Sequence, residues 1–89
     1  MRKVVLCSIP ETTGFFHLEV SRGAQPIDLY YEEGEVKIAL LVNENASDDK
    51  KEFLVAEKEQ RIEGAPPKKL VYLNSFSRNK KKFFVFEVK

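Results

Sequence analysis

The sequence predicts a small all-β domain, either an antiparallel barrel or a two-sheet sandwich of about six or seven strands. Two observations support this fold class. β-Branched and aromatic residues recur in short alternating runs, and no segment carries an apolar stripe at helical spacing. Gly, Pro, Asn, Ser or charged clusters bound each run. We therefore expect strands at Val4–Ile9, Phe15–Val20, Ile27–Tyr31, Val36–Val42, Phe53–Ala56, Leu70–Phe76 and Phe83–Val88.

The first half of the chain contains clear turn signals between these runs. Gly23 can take the positive φ that a tight turn needs, and Pro26, which lacks an N–H donor, suits the start of the next strand. Glu32, Glu33 and Gly34 form a short polar break with a glycine, which predicts a β-hairpin. The run after it, Val36–Val42, is apolar on one face and mixed on the other, as in a central strand.

The second half has longer polar segments. Asn43–Lys50 is rich in Asn, Ser and Asp and predicts a loop. Helix propensity alone favours a short helix over Glu57–Glu63, and Gly64–Pro67 predicts a stiff connector. The last two strands are expected to form a hairpin joined by the polar loop Ser77–Lys81.

Composition limits the class of protein. The 89 residues accommodate one domain, residues 1–89, and Cys7 is the only cysteine, which excludes an intramolecular disulfide and a multi-cysteine zinc site. No apolar run is long enough for a leader or a membrane span. We therefore expect a cytoplasmic protein that has no membrane partner.

The charge is unevenly distributed along the chain. Residues 1–49 hold four basic and nine acidic side chains, whereas residues 50–89 hold eleven basic and five acidic ones. Such asymmetry is found in proteins with acidic or nucleic-acid partners. The simpler interpretation is that the two halves interleave in a small β-domain, so that the asymmetry does not persist on the surface.

Groups that support catalysis or metal binding are few. Cys7 and His17 would form a nucleophilic pair only if their strands were neighbours, and a cysteine in an apolar run usually packs as a small hydrophobe. Glu32, Glu33 and Glu35 lie at a predicted hairpin tip, where exposed carboxylates all stay ionised and do not divide into an acid and a base. Asp48 and Asp49, with Glu44 and Asn45, lack the residue spacing of a calcium loop. The sequence therefore predicts a protein that is not an enzyme, with no cofactor and no metal.

The C-terminal hairpin combines basic and aromatic residues and is the predicted partner-binding site. Its members are Phe76, Arg78, Lys80, Lys81, Lys82, Phe83, Phe84 and Phe86. This combination is typical of single-strand nucleic-acid binding, although a lysine-rich loop also keeps a strand edge soluble. The last strand is apolar on both faces, which indicates either an interface or a central strand covered on both sides.

Several short motifs together resemble a family of phage and prophage β-proteins of unknown function. The matching positions are Leu18, Val20, Gly23-Ala24, Ile27, Leu29, Gly34, Leu40–Asn43, Tyr72, Ser75-Phe76 and Phe84–Glu87. The chain departs from the family in having Ser21 at a usual proline, no tryptophan, and Glu59–Ile62 in place of a Gly-His loop. The resemblance implies a phage-type β-protein and brings no activity with it.

Together these observations favour a non-enzymatic binding protein, a phage accessory or anti-defence factor that binds and inhibits a host protein. One alternative is a single-stranded nucleic-acid-binding module that uses the C-terminal hairpin. Another is a structural or assembly component of a phage. The sequence leaves homodimer formation open.

Overall fold

The computed structural model describes residues 1–10, 12–61 and 69–89. In these residues the chain forms seven antiparallel strands in two sheets and no helix, which confirms the all-β class in its two-sheet sandwich form. The strands are β1 (Arg2–Ser8), β2 (Gly14–Ser21), β3 (Gln25–Glu32), β4 (Glu35–Asn43), β5 (Asp48–Glu57), β6 (Leu70–Arg78) and β7 (Lys81–Val88). Across the same residues, no helix is long and apolar enough to cross a membrane.

The two sheets have the orders β1-β4-β3 and β2-β5-β7-β6. The predicted central position of the Val36–Val42 run is confirmed, because β4 pairs with a strand on each side. The inward side chains of β4, β5 and β7 form the core between the sheets. Its most deeply buried members are Ile38, Leu40, Phe53, Val55 and Val85.

Two hairpins have two-residue turns in which both central residues have positive φ. In the predicted hairpin between β3 and β4, Glu33 and Gly34 have φ of 52° and 79°. In the β6–β7 hairpin, Asn79 and Lys80 have φ of 52° and 64°. The expected loop Ser77–Lys81 is therefore wrong in extent. A turn of this type matches the strand twist and needs only its two central residues, so both strands continue to it.

Two other expectations for polar segments are corrected. The loop expected over Asn43–Lys50 is shorter, because β5 begins at Asp48 and its polar start pairs with the end of β2. The helix expected at Glu57–Glu63 is absent over 57–61, where Glu59 has φ 64° and the Gln60 N–H donates to the Glu57 carbonyl at 3.0 Å. A positive φ lies outside the right-handed helical region, so a helix cannot continue through Glu59. Residues 62 and 63 and the predicted connector Gly64–Pro67 lie outside the described residues.

The four edge strands differ between the two sides of the sandwich. On one side, β3 packs against β6, and each of these strands is interrupted by a bulge, at Ile27 and at Leu73. Pro26 also lies on β3, where a missing N–H is tolerated at a sheet edge. On the other side, β1 pairs with β4 and β2 pairs with β5, each without a bulge. These two edge strands border an open groove of about 330 Å³.

The inner layer also contains one buried ion pair. Glu87 follows Phe83 and Val85 on the inward face of β7, and its Oε2 atom lies 2.7 Å from the Lys51 Nζ atom on β5. The two side chains are only 6% and 23% exposed. A buried carboxylate needs a partner, because desolvation of an unpaired charge is costly. The Lys51 ammonium therefore offsets the free-energy cost of burying the Glu87 carboxylate.

We predict that Lys51→Met lowers the free energy of unfolding by about 3 kcal/mol, because it leaves the Glu87 carboxylate buried without its partner. The double variant Lys51→Met, Glu87→Leu should recover most of this loss. Urea denaturation measures both values. Arg22→Met is the matched control: Arg22 pairs with Asp49 at 3.8 Å on the surface, and its loss should change little. A double variant as unstable as the single one would contradict the prediction.

Candidate functional site

The predicted partner-binding residues lie on β6, on β7 and in the turn between them. Lys80 is in the turn, whereas Lys81 and Lys82 are the first residues of β7 and project to opposite faces of the sheet. The lysines therefore do not form one loop cluster. The Lys81 ammonium lies 3.6 Å from the Glu57 carboxylate on β5, and the Lys82 Nζ atom lies 5.7 Å from the centre of the Phe84 ring.

Three of the predicted residues face the interior and connect the two sheets. The Phe76 and Phe83 rings stack with their centroids 5.1 Å apart and pack against the core. The Arg78 guanidinium carbon lies 5.9 Å from the Phe76 ring centre and 5.7 Å from that of Tyr31 on β3. Its Nη2 atom donates a hydrogen bond to the Gly34 carbonyl at 3.3 Å. These contacts join the β6–β7 hairpin to the β3–β4 hairpin.

Phe84 and Phe86 lie on the opposite, outer face of the four-stranded sheet. Both are half-buried, and Tyr72 on β6 contacts them with ring centroids 6.5 Å and 5.8 Å away. Tyr72 itself is 54% exposed. The alternation of β7 indicated two apolar faces, and the structure identifies the outward one.

Strand register aligns four apolar residues in one row across this outer face. Phe15 on β2 pairs with Leu54 on β5, Leu54 pairs with Phe86 on β7, and Phe86 pairs with Tyr72 on β6. We call these four residues the aromatic row. Its two end members, Phe15 and Tyr72, are exposed, whereas Leu54 is buried between its neighbours. Because β5 and β6 both run antiparallel to β7, the end of β5 at Glu57 and the start of β6 at Leu70 lie at opposite ends of this sheet.

The aromatic row includes three residues that were not among the predicted site residues, namely Phe15, Leu54 and Tyr72. Phe15 and Tyr72 come from strands that are far apart in the chain, and only strand order and register bring them into line. The sequence signals were that each lies in a strand-like run and that Tyr72 is also one of the positions in the resemblance to phage proteins. Neither run indicates its neighbours in the sheet.

Cys7 and His17 do not form a nucleophilic pair. Cys7 lies on β1 in one sheet and packs against the core, whereas His17 lies on β2 in the other sheet and is exposed beside Glu52. Burial raises the pKa of the Cys7 thiol above its ordinary value. A thiol with a raised pKa is mostly protonated at neutral pH and is a weak nucleophile.

The acidic residues make local contacts. The Glu35 carboxylate accepts a hydrogen bond from the Ser8 hydroxyl at 3.2 Å, and Glu44 pairs with Lys3 at 3.7 Å. Partial desolvation and the nearby Glu32 carboxylate raise the pKa of Tyr30. Among the described residues, no group of three or more His, Cys, Asp or Glu side chains is arranged to hold a metal ion.

Comparison with known proteins adds no family, since no family model, curated protein or solved structure matches this chain. The resemblance to phage β-proteins therefore stays a prediction.

We predict that Cys7 reacts slowly with a thiol reagent in the native protein, because its pKa is raised and its side chain is half-buried. Iodoacetamide labelling followed by mass spectrometry, repeated across pH, gives the rate. The urea-unfolded chain should reach half of its maximal rate near pH 9.0, the ordinary thiol pKa, whereas the native protein should reach its own half-maximal rate only at a higher pH. Equal rates for the native and unfolded chains would contradict burial of the thiol.

Proposed function

We propose that this chain is a non-enzymatic binding domain whose outer four-stranded face contacts a protein partner. The observation that carries the proposal is the aromatic row. It places an exposed tyrosine and phenylalanine on the side of the sheet that faces away from the core.

The composition of this face supports protein recognition. Aromatic side chains are enriched at the centres of interfaces, and a few of them usually provide most of the binding energy. Lys80 and Lys82 are exposed at one end of the face, where basic side chains form a polar rim. A partner with an apolar pocket bordered by acidic residues would complement this arrangement.

The resemblance to phage and prophage proteins supports a bacterial host protein as the partner. In this proposal the chain acts as an accessory or anti-defence factor that inhibits the host protein by occupying part of its surface. Such an inhibitor needs a rigid scaffold and an anchoring patch. It needs no active site, in keeping with the separation of Cys7 from His17 by sheet and by face.

We predict that Tyr72→Ala weakens partner binding by about 2 kcal/mol or more, because Tyr72 is the exposed anchor of the aromatic row. The partner is first captured from bacterial lysate with the wild-type protein, and the affinities of the variants are then measured with the purified partner. Tyr31→Ala is the matched control, since Tyr31 is equally exposed, at 52%, but lies on β3. Equal losses for the two variants would contradict the proposed surface.

Charge reversal tests the polar rim separately. Lys80→Glu combined with Lys82→Glu should mainly slow association and reduce its dependence on salt, because rim charges affect the on-rate more than the off-rate. Stopped-flow or surface-based kinetics distinguish the two rates. A change confined to the off-rate would place these lysines within the interface centre instead.

One geometric observation favours the alternative of single-stranded nucleic-acid binding. Lys82 lies over the Phe84 ring, and the rings of Tyr72, Phe84 and Phe86 form a contiguous group on which bases could stack. A labelled oligothymidine tests this function. If its affinity falls linearly with salt on a log–log plot, and if both Tyr72→Ala and Lys82→Glu weaken it, the nucleic-acid function replaces the protein-binding one.

A further inference from the structure

Within residues 1–10, 12–61 and 69–89, no strand pairs with the outer edge of β1. Its partner among these residues is β4, in an unbroken register from Arg2 to Ser8. Val4 and Leu6 project from the outer face of this edge strand and are 53% and 50% exposed. A regular edge strand with exposed aliphatic side chains is a template for pairing with another strand.

The hydrogen bonds at its two ends show which backbone groups of β1 are free. The Ile9 N–H donates to the Val36 carbonyl at 3.1 Å, and the Met1 carbonyl accepts from the Glu44 N–H at 2.9 Å. Because backbone groups alternate in direction along an antiparallel strand, the odd-numbered residues face β4. The N–H and C=O groups of Arg2, Val4, Leu6 and Ser8 therefore point towards the open edge.

The other three edges are less suited to strand addition. β3 and β6 carry bulges and pack against each other, and β3 also contains Pro26. β2 is regular, but the polar His17 and the charged Glu19 lie in its middle on the outer face, and a charge at such a position discourages edge pairing. The central residues of β1, Val4–Cys7, are uncharged.

We propose that β1 pairs antiparallel with β1 of a second copy of this chain, so that the two three-stranded sheets become one six-stranded sheet. The strand is self-complementary when Val5 lies opposite Val5 of the second copy. In this register Val4 lies opposite Leu6 and Arg2 lies opposite Ser8, so all four residues with free backbone groups are paired. No two like charges are directly opposed.

The side chains at the ends of this pairing are also complementary. The Ser8 hydroxyl donates to the Glu35 carboxylate, so a negative charge lies beside the position that Arg2 of the second copy takes. Lys37 is the cross-strand neighbour of Ser8 on β4, so β1 separates its backbone from the second copy. Lys3 is paired with Glu44 in its own chain and lies opposite the uncharged Cys7.

A cysteine at the two-fold axis tests both the pairing and its register. In the proposed register Val5 lies opposite Val5 of the second copy as a non-hydrogen-bonded pair. The two Cα atoms of such a pair are about 4.5 Å apart, which is within the range that a disulfide spans. We expect Val5→Cys in a Cys7→Ser background to form a covalent dimer under mild oxidation. Val4→Cys in the same background is the matched control and should not, because Val4 faces Leu6 of the second copy.

Sedimentation of the purified full chain gives an independent measurement. The wild type should sediment as a dimer, whereas Val4→Lys combined with Leu6→Lys should sediment as a folded monomer, since this register opposes each new lysine with another. Each single lysine should have a smaller effect. A monomeric wild type, a dimer insensitive to the double variant, or equal cross-linking at positions 4 and 5 would each overturn the proposal. None of these measurements involves the aromatic row or its partner.

Discussion

Burial of the layer between β4 and the β5–β7 pair is the constraint on which the rest of this structure depends. Ile38 and Leu40 from one sheet meet Phe53, Val55 and Val85 from the other, and all five are almost completely buried. Because side chains alternate along a strand, a slip of one residue would exchange the two faces of that strand. The same constraint that buries Val85 therefore directs its neighbours on β7 outward, and the aromatic row is a consequence of the core.

The ion pair in this layer further limits the registers in which β7 can pair. An apolar inner face tolerates several similar arrangements, whereas Glu87 has its charge neutralised only where the Lys51 ammonium can reach it. The pair lies near one end of the sandwich, and Phe76, stacked on Phe83, lies at the β6–β7 turn towards the other. Polar and aromatic contacts thus hold the two ends of a strand whose middle is held by aliphatic packing.

Much of the fold followed from the sequence, because period-2 alternation and turn residues are local signals. The glycine hairpin at Gly34 and the central position of β4 were both predictable in this way. The start of β5 was not, since Asp48–Lys51 is polar and is held in a strand by pairing with β2. The aromatic row depends on pairs such as Phe15 with Leu54, which are distant in sequence, and local patterns contain no information on strand order.

The two proposed surfaces lie on different sheets and do not compete for the same residues. The aromatic row covers the outer face of the four-stranded sheet, whereas β1 is an edge of the three-stranded sheet. Antiparallel pairing of two β1 strands places the two-fold axis perpendicular to the extended sheet, so both aromatic rows face the same direction. A partner displaying two copies of its binding site at a matching distance would then be held by both rows, and the second contact would form at a high effective concentration. Dimer formation and binding would in that case reinforce each other, although neither surface contacts the other.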